Sequence, residues 1–501
     1  MADTHRVQRI LARLAALVAV LVLAPATIVS AAQTTPQAPA SAAAEHAPTG
    51  TSKTQPKNRA KAKPESKSQA KVKPKGHAKA KPKSKAKPKS KAKPKSHTKT
   101  KAKTKGTRAP TTTATLGTFD VTSVPALAQW KSAGGTAVIL PIFWQGAQPT
   151  ASGPVSLAEA GLDGQNVLSE IQAAHADGLS VYLEFDLQYP PSWVLSGVPQ
   201  FVDQNGTAWS STTAGANVRD WIWSATGRTD VASFVSGALA DLAPVLSDVA
   251  GIRAGGGVYG ELDFPPAAAA STLLGSVAVS ALGSANSYWG YDLAAQTGIG
   301  IASGESPTPL RGYIYGTGTA AENTEWANWY LGSLATWITW YAQLLRSDGW
   351  SGPIYVLHPS FGLRPDMATT SPGYEQQLAY GTDPAVMMDA YDTIANVWPW
   401  STWADDTEPY YHPGDTTPSD MAAWRWLLML AQQRGLAAHI MGENTGGGGA
   451  PAIAQMMSGA LAAGYTGVFY LDYPTLLSEG LESYLVQQFA AYAPKAPANA
   501  S

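Results

Sequence analysis

One punctuation mark recurs along most of this chain and limits what it can fold into. An amphipathic segment ends in a small or polar residue plus glycine, and an apolar run follows at once. The instances are SAGG before TAVILPIFW, ADG before LSVYLEFD, RSDGWSG before PIYVLH, QRG before LAAHIMG, and AAGYTG before VFYLDY. Glycine just past a helix supplies the left-handed cap that residues with side chains resist. A short run without polar alternation reads as a strand buried on both faces, as in a parallel sheet covered by helices. Repeated helix–glycine–strand units therefore predict a parallel α/β fold. Eight candidate strands can be placed, at residues 115–121, 136–143, 179–186, 250–259, 353–358, 385–391, 436–442 and 466–472. Periodic helices are expected between them, among others at 164–176, 231–248, 326–347 and 420–434. Eight strand-then-helix units in one domain predict a (β/α)8 barrel (a TIM barrel). The competitor, a doubly wound open sheet, usually carries a nucleotide-binding loop.

The rest of the chain differs in kind. Its 501 residues are formally neutral and include no cysteine, but the charge is segregated. Residues 53–108 hold 23 of the 36 Lys and Arg residues against one acid, Glu65. From residue 111 onward, 10 basic residues stand against 33 acidic ones, a balance of −23. KAKPKS occurs in tandem at 79–84, 85–90 and 91–96, with degenerate copies at 61–66 and 71–76. Regular proline and like-charge repulsion predict an extended, disordered basic linker over residues 32–112. Two readings of it stand: a plain spacer, or a holder on anionic cell-envelope polymer. Without interleaved aromatics it is not expected to stack on bases, so no specific nucleic-acid partner is predicted. Ahead of it, Arg6, Arg9 and Arg13 precede the apolar run Leu14 to Ala24, then Pro25 and the small-residue site Val29-Ser30-Ala31. That pattern predicts a secretory signal peptide over residues 1–31, with an uncleaved anchor as the alternative. The expectation is a secreted protein whose globule, residues 113–495, needs no disulfide.

In a barrel the active site lies at the C-terminal ends of the strands. Those ends read Trp144, Asp186, Glu261, His358, Asp389, Glu443 and Asp472. Folding alone has little use for clustered carboxylates, which repel each other and lose hydration. A catalytic pair uses both effects to drive two pKa values apart. Glycosidic cleavage needs such a pair, one carboxyl to protonate the leaving oxygen and one to attack the anomeric carbon or activate water. Glu261, in GGVYGELDFPP, has apolar neighbours suited to a proton donor. Glu443, in IMGENTGGGG, is the candidate second carboxylate, beside glycines that let backbone approach a sugar. All 17 tryptophans lie in the globule, and Trp144, Trp193, Trp289, Trp398, Trp400 and Trp403 sit at strand ends or in loops. Indole faces stack on pyranose C–H faces while polar groups bind hydroxyls. Trp144, Asp186, Trp193, His358, Asp389, Tyr391, Asn444 and Asp472 are accordingly the expected sugar contacts. Trp326, Trp329, Trp337 and Trp340 have helical spacing and are expected in the core; Trp424 and Trp426 fit either role. No cofactor and no metal are expected. Gly255 to Gly260 matches G-x-G-x-x-G, but Glu-Leu-Asp-Phe-Pro-Pro follows instead of a helix, and His175, His358, His412 and His439 lack metal-ligand spacing.

At these residues the chain resembles the β-amylases, glycoside hydrolase family 14. GGVYGELDFPP is similar to that family's G-x-x-GEL-x-[YF]-P segment, whose glutamate is the general acid; the resemblance gives that role to Glu261. AVILPIFWQG, YPPSWV, FVDQNGTAW, ATGRTDVASF, IMGENTG and GVFYLDY resemble further family segments in the same order, covering about residues 115–490. The chain departs from the family in two places. The long Gly-rich loop after strand three is replaced by the short FDLQYPPSW. A rough alignment sets the family's base near Met387 to Asp392, where this chain reads MMDAYD, without glutamate. An acid after strand four paired with a nucleophile after strand seven is also the arrangement of the retaining barrel glycosidases, family 42 β-galactosidases among them. Three readings follow: a retaining hydrolase with Glu261 as acid/base and Glu443 as nucleophile, an inverting one with Asp389 or Glu443 as base, or a non-catalytic carbohydrate-binding protein. Each takes an oligo- or polysaccharide as its partner.

Overall fold

The computed structural model describes residues 114–211, 215–267, 286–359, 362–445 and 448–494. The expected signal peptide and basic linker lie outside the described residues. Eight parallel strands close into a barrel in chain order. They are β1 (Thr115–Thr118), β2 (Ala137–Phe143), β3 (Ser180–Asp186), β4 (Val249–Ala254), β5 (Ile354–His358), β6 (Val397–Ser401), β7 (Met441–Glu443) and β8 (Gly467–Tyr470). A principal helix follows each strand: α1 (Val124–Ala133), α2 (Val167–Ala176), α3 (Ala225–Leu242), α4 (Ala320–Ser347), α5 (Pro384–Tyr391), α6 (Ala423–Gln433), α7 (Gly449–Met456) and α8 (Glu482–Tyr492). No helix among the described residues is long and apolar enough to cross a membrane.

The glycine punctuation does what its chemistry predicts. Gly134, Gly178, Gly349, Gly435 and Gly464, one in each of the five quoted segments, all have positive φ. Helix starts are as local. Ser123 accepts from Ala126 N at the head of α1. At α4, Thr319 and Glu322 form a reciprocal capping box.

The sixth strand corrects the sequence reading. Residues 385–391 are not a strand; they form α5. Asp383 accepts from Ala385 N and Val386 N, Pro384 occupies the first turn, and Met387, Met388 and Tyr391 turn one face into the core. The true β6 is VWPWS, whose central Pro399 argues locally against a strand. It pairs with β5 from Ile354↔Val397 to His358↔Ser401. The seventh strand also shifts, because residues 437–439 form a 3-10 turn and β7 begins at Met441.

Two apolar cores result. The larger lies between barrel and helices. The smaller fills the barrel with Phe119, Ala137, Ile139, Tyr182, Tyr355, Leu357, Trp400, Met441 and Phe469. Small residues make room for its rings: a β-carbon at Gly117 would fall 2.0 Å from Phe469 Cε1. Inward positions alternate along each strand. Tyr182 therefore sets the inward parity of Glu184 and Asp186, and Met441 that of Glu443. Charge thus begins where the aromatic layer ends.

Candidate active site at the C-terminal mouth of the barrel

Arg253, on β4, stands at the centre of the mouth. Its Nη1 donates to Glu184 Oε2 on β3 at 2.6 Å, and its Nη2 donates to Glu443 Oε2 on β7 at 2.5 Å. All three side chains are buried. Trp400, on β6, donates Nε1 to the same Glu443 oxygen at 2.9 Å and lies under the guanidinium, 4.8 Å from ring centroid to Cζ. A buried carboxylate is tolerated only when paired and hydrogen-bonded, and Glu443 is both.

Glu261 arrives from the turn after β4. The turn is tight: Gly257 N donates to Glu261 O at 2.7 Å and Gly260 N to Gly257 O at 3.1 Å. Gly260 has a φ of +80°, and a β-carbon there would fall 2.2 Å from Glu184 Oε1. Two indoles clamp the start of the turn, Trp337 Nε1 on Gly255 O at 2.6 Å and Trp221 Nε1 on Gly256 O at 3.1 Å. After the turn, Leu262 N bonds Leu357 O and locks the segment to β5. Glycine is thus required where the backbone folds against the Glu184 carboxylate.

Burial pushes the Glu261 carboxyl up to about 7. A hydrogen bond with Thr402 opposes this; the Glu443 charge reinforces it, Arg253 opposes it and Glu184 adds to it. Glu261 and Glu443, 182 positions apart in the chain, therefore act on each other across one site. Glu261 is half-buried, while Asp263, two residues on, is buried; burial and then the Glu261 charge hold the Asp263 carboxyl well above the usual range. The site thus offers one carboxylate bound by a guanidinium and one carboxyl that near neutrality can hold a proton.

The other expected contacts fall into three groups. Asp186 and Trp193 stay near the mouth. Asp186 is buried at the end of β3 and accepts from Gln188 Nε2 at 3.4 Å; half-buried Trp193 donates Nε1 to Gln148 O at 3.0 Å. A second group is structural. Trp144 is fully buried and stacked on Phe234 at 5.0 Å, so its face is closed to a sugar. Asn444 is fully buried and accepts from Leu471 N at 2.7 Å, tying β7 to β8. Asp472 caps the helix Tyr473–Ser478, bonding Thr475 N and Oγ1. The third group leaves the barrel. His358 follows the outward parity of Ile354 and Val356, and its Nε2 meets Tyr391 OH of α5 at 2.7 Å. Burial lowers its pKa to about 3, a neutral core imidazole. Asp389 sits on α5, exposed and ion-paired with Arg434 at 2.6 Å. With α5 outside the barrel, no base can come from residues 387–392.

Among the remaining tryptophans, Trp289, Trp326, Trp337, Trp424 and Trp426 are buried. Trp398 packs on His439 in the first half of β6, away from the mouth. Trp403, half-buried just past β6, remains at it. Glu184 and Arg253 were missed by the sequence reading. Their signal is a charge inside an apolar run, VYLEFD and GIRAGGG.

Fold and site together define a (β/α)8 barrel with a buried acid–guanidinium cluster at the C-terminal mouth. No protein-family model and no curated protein sequence matches the chain. Among solved structures, the catalytic domain of a β-amylase from Paenibacillus polymyxa superposes with a TM-score of 0.56 at 16% identity, covering 75% of this chain and 97% of that one. A β-galactosidase from Marinomonas ef1 gives a TM-score of 0.46 at 14% identity, covering 71% of this chain and 53% of that one. A β-galactosidase from Halorubrum lacusprofundi gives 0.42 at 13%, covering 71% and 52%. This chain thus spans about half of each galactosidase. At such identities the likeness is one of fold.

Proposed function

We propose that the protein is a glycoside hydrolase acting on an oligo- or polysaccharide, with Glu261 as the proton donor and Glu443 as the second carboxylate. What carries this reading is the pairing of unlike carboxyl states in one pocket: Glu261 raised to about 7 beside a Glu443 bound by Arg253 and Trp400. Glu261 gives its proton to the leaving glycosidic oxygen as the C–O bond breaks. Glu443, its charge stabilised by guanidinium and indole, attacks the anomeric carbon and forms a glycosyl ester. Water, deprotonated by the Glu261 carboxylate, then attacks that carbon and releases Glu443. An acid soon after β4 paired with a carboxylate at the end of β7 is the arrangement of the retaining barrel glycosidases that the sequence resembles, which favours the nucleophile's role and a retaining course.

The second reading is an inverting, β-amylase-like hydrolase in which Glu443 activates the water. It draws on the family 14 resemblance and on the β-amylase domain, whose superposition spans 97% of that domain. The fourth-strand and seventh-strand placement equally suits a family 42-like enzyme. We further propose that the protein is secreted and that its basic linker holds it on anionic envelope polymer.

The test is a hydrolysis screen over starch, galactan, mannan, chitin oligosaccharides and nitrophenyl glycosides, with the first-formed anomer read by NMR. Glu261→Gln is expected to lower turnover by about 1000-fold while sparing glycan binding. Unchanged turnover would remove Glu261 from the mechanism. A wild-type protein that binds glycans and cleaves none would be a carbohydrate-binding protein instead.

A further inference from the structure

Glu184 is a charged group at the mouth that the proposed chemistry leaves unused. Glu184 reaches two things at once. Its Oε2 takes one arm of Arg253 at 2.6 Å. Its Oε1 lies against Gly260, where a β-carbon would come within 2.2 Å. The other arm of Arg253 holds Glu443 at 2.5 Å. Glu184 therefore connects with both members of the carboxyl pair, with Glu443 through the guanidinium and with Glu261 through the turn that carries it. Neither contact serves the barrel's apolar core, and a buried ion pair on its own is a poor source of stability.

We propose that Glu184 is a positioning residue of this site: it holds Arg253 in the fork that orients Glu443, and it seats the Gly260 turn that presents Glu261. This rests on the proposed function for its meaning but not for its test. The charged and titratable groups around the pair are Glu184 from β3, Arg253 from β4, Asp263 and Tyr259 beside the turn, Tyr380, and Glu443 from β7. Tyr341 of α4 faces Glu184 and Asp186 from behind. Within this set, Glu184 and Arg253 act on Glu261 in opposite senses.

The test is a carbon-13 NMR titration of the full chain with labelled glutamate carboxyls, Glu261 and Glu443 being assigned from Glu261→Gln and Glu443→Gln. In Glu184→Gln, an isosteric change, the Glu261 midpoint is expected to fall by about one pH unit. In Arg253→Met it is expected to rise, and the Glu443 signal to move in both variants. A purely structural Glu184 would change the unfolding midpoint and leave both titrations in place, which would overturn the inference. So would a Glu261 midpoint that rises in Glu184→Gln. Glu184→Asp keeps the charge but withdraws the carboxylate from Gly260; it is expected to shift the Glu443 signal while the Glu261 midpoint moves by less than in Glu184→Gln, and an unmoved Glu443 signal would also overturn the inference. The glycoside panel is run on the same samples. A wild type that cleaves none of it overturns the proposed function and leaves the titrations to decide this inference.

Discussion

Arg253→Met removes the cation that bridges Glu184 and Glu443 and keeps a stem of similar bulk. The guanidinium is 3% exposed, and the carboxylates it serves, Glu184 and Glu443, are 7% and 4% exposed at their side chains. Trp400 Nε1 still bonds Glu443 in the variant, but Glu184 loses the strong bond that held its charge. Leaving one buried carboxylate without its counter-ion costs about 3–5 kcal/mol, a large part of the roughly 5–15 kcal/mol that holds a typical domain. The sign of the pH dependence follows from the same burial. A buried carboxylate that has lost its counter-ion favours its protonated form, so the folded variant binds protons more tightly than the unfolded chain. The penalty is full at pH 8 and fades as falling pH protonates the stranded carboxylate. One carboxyl protonated over two pH units recovers about 2.7 kcal/mol. Buried neutral His358, whose pKa is lowered to about 3, makes both proteins less stable as pH falls below about 6.5, and it cancels in the difference. The assay is urea unfolding of both proteins at pH 8, 7, 6 and 5, read by tryptophan fluorescence. A gap below about 1 kcal/mol at pH 8, or one as large at pH 5 as at pH 8, would refute the reasoning.

Other substitutions probe other parts of the structure. Glu261→Gln is expected to melt above the wild type at pH 8 and level with it at pH 4, because a carboxyl raised to about 7 is destabilising only once it ionises; equal melting at both values would mean that Glu261 is not desolvated. Gly117→Ala is expected to cost about 1–3 kcal/mol in urea unfolding, since the added carbon meets the Phe469 ring at 2.0 Å. Tyr391→Phe leaves the His358 Nε2 without its 2.7 Å partner and is expected to cost about 1–3 kcal/mol without changing turnover. A fall in its turnover would return His358 to the site.

Much of the architecture was legible because it is locally encoded. Each quoted segment holds a left-handed glycine at the end of its helix, and the apolar run after it is a strand or leads into one. Glu261 and Glu443 stood out because a charge at the end of a buried strand or in the turn after it, next to glycines, has few structural uses. The failures have one physical character. Residues 385–391 are as apolar as a buried strand, and only the Asp383–Pro384 start marks them as a helix. VWPWS looks broken by its proline, and pairing with β5 and β7 makes it a strand. Once the sixth strand was misplaced, Asp389 and Tyr391 were carried to the mouth with it.

The chain alone thus determined the repeating unit and the closed parallel class, and it offered two candidate carboxyls, since caps, periodicity and strand ends act within a few residues. Tertiary structure alone decided which side chains share the pocket. Whether Trp144 meets a sugar or Phe234, and whether His358 turns inward or toward Tyr391, depends on strand parity and on neighbours far along the chain. The cluster of Glu184, Arg253 and Glu443 exists only because closing the barrel brings β3, β4 and β7 around one guanidinium.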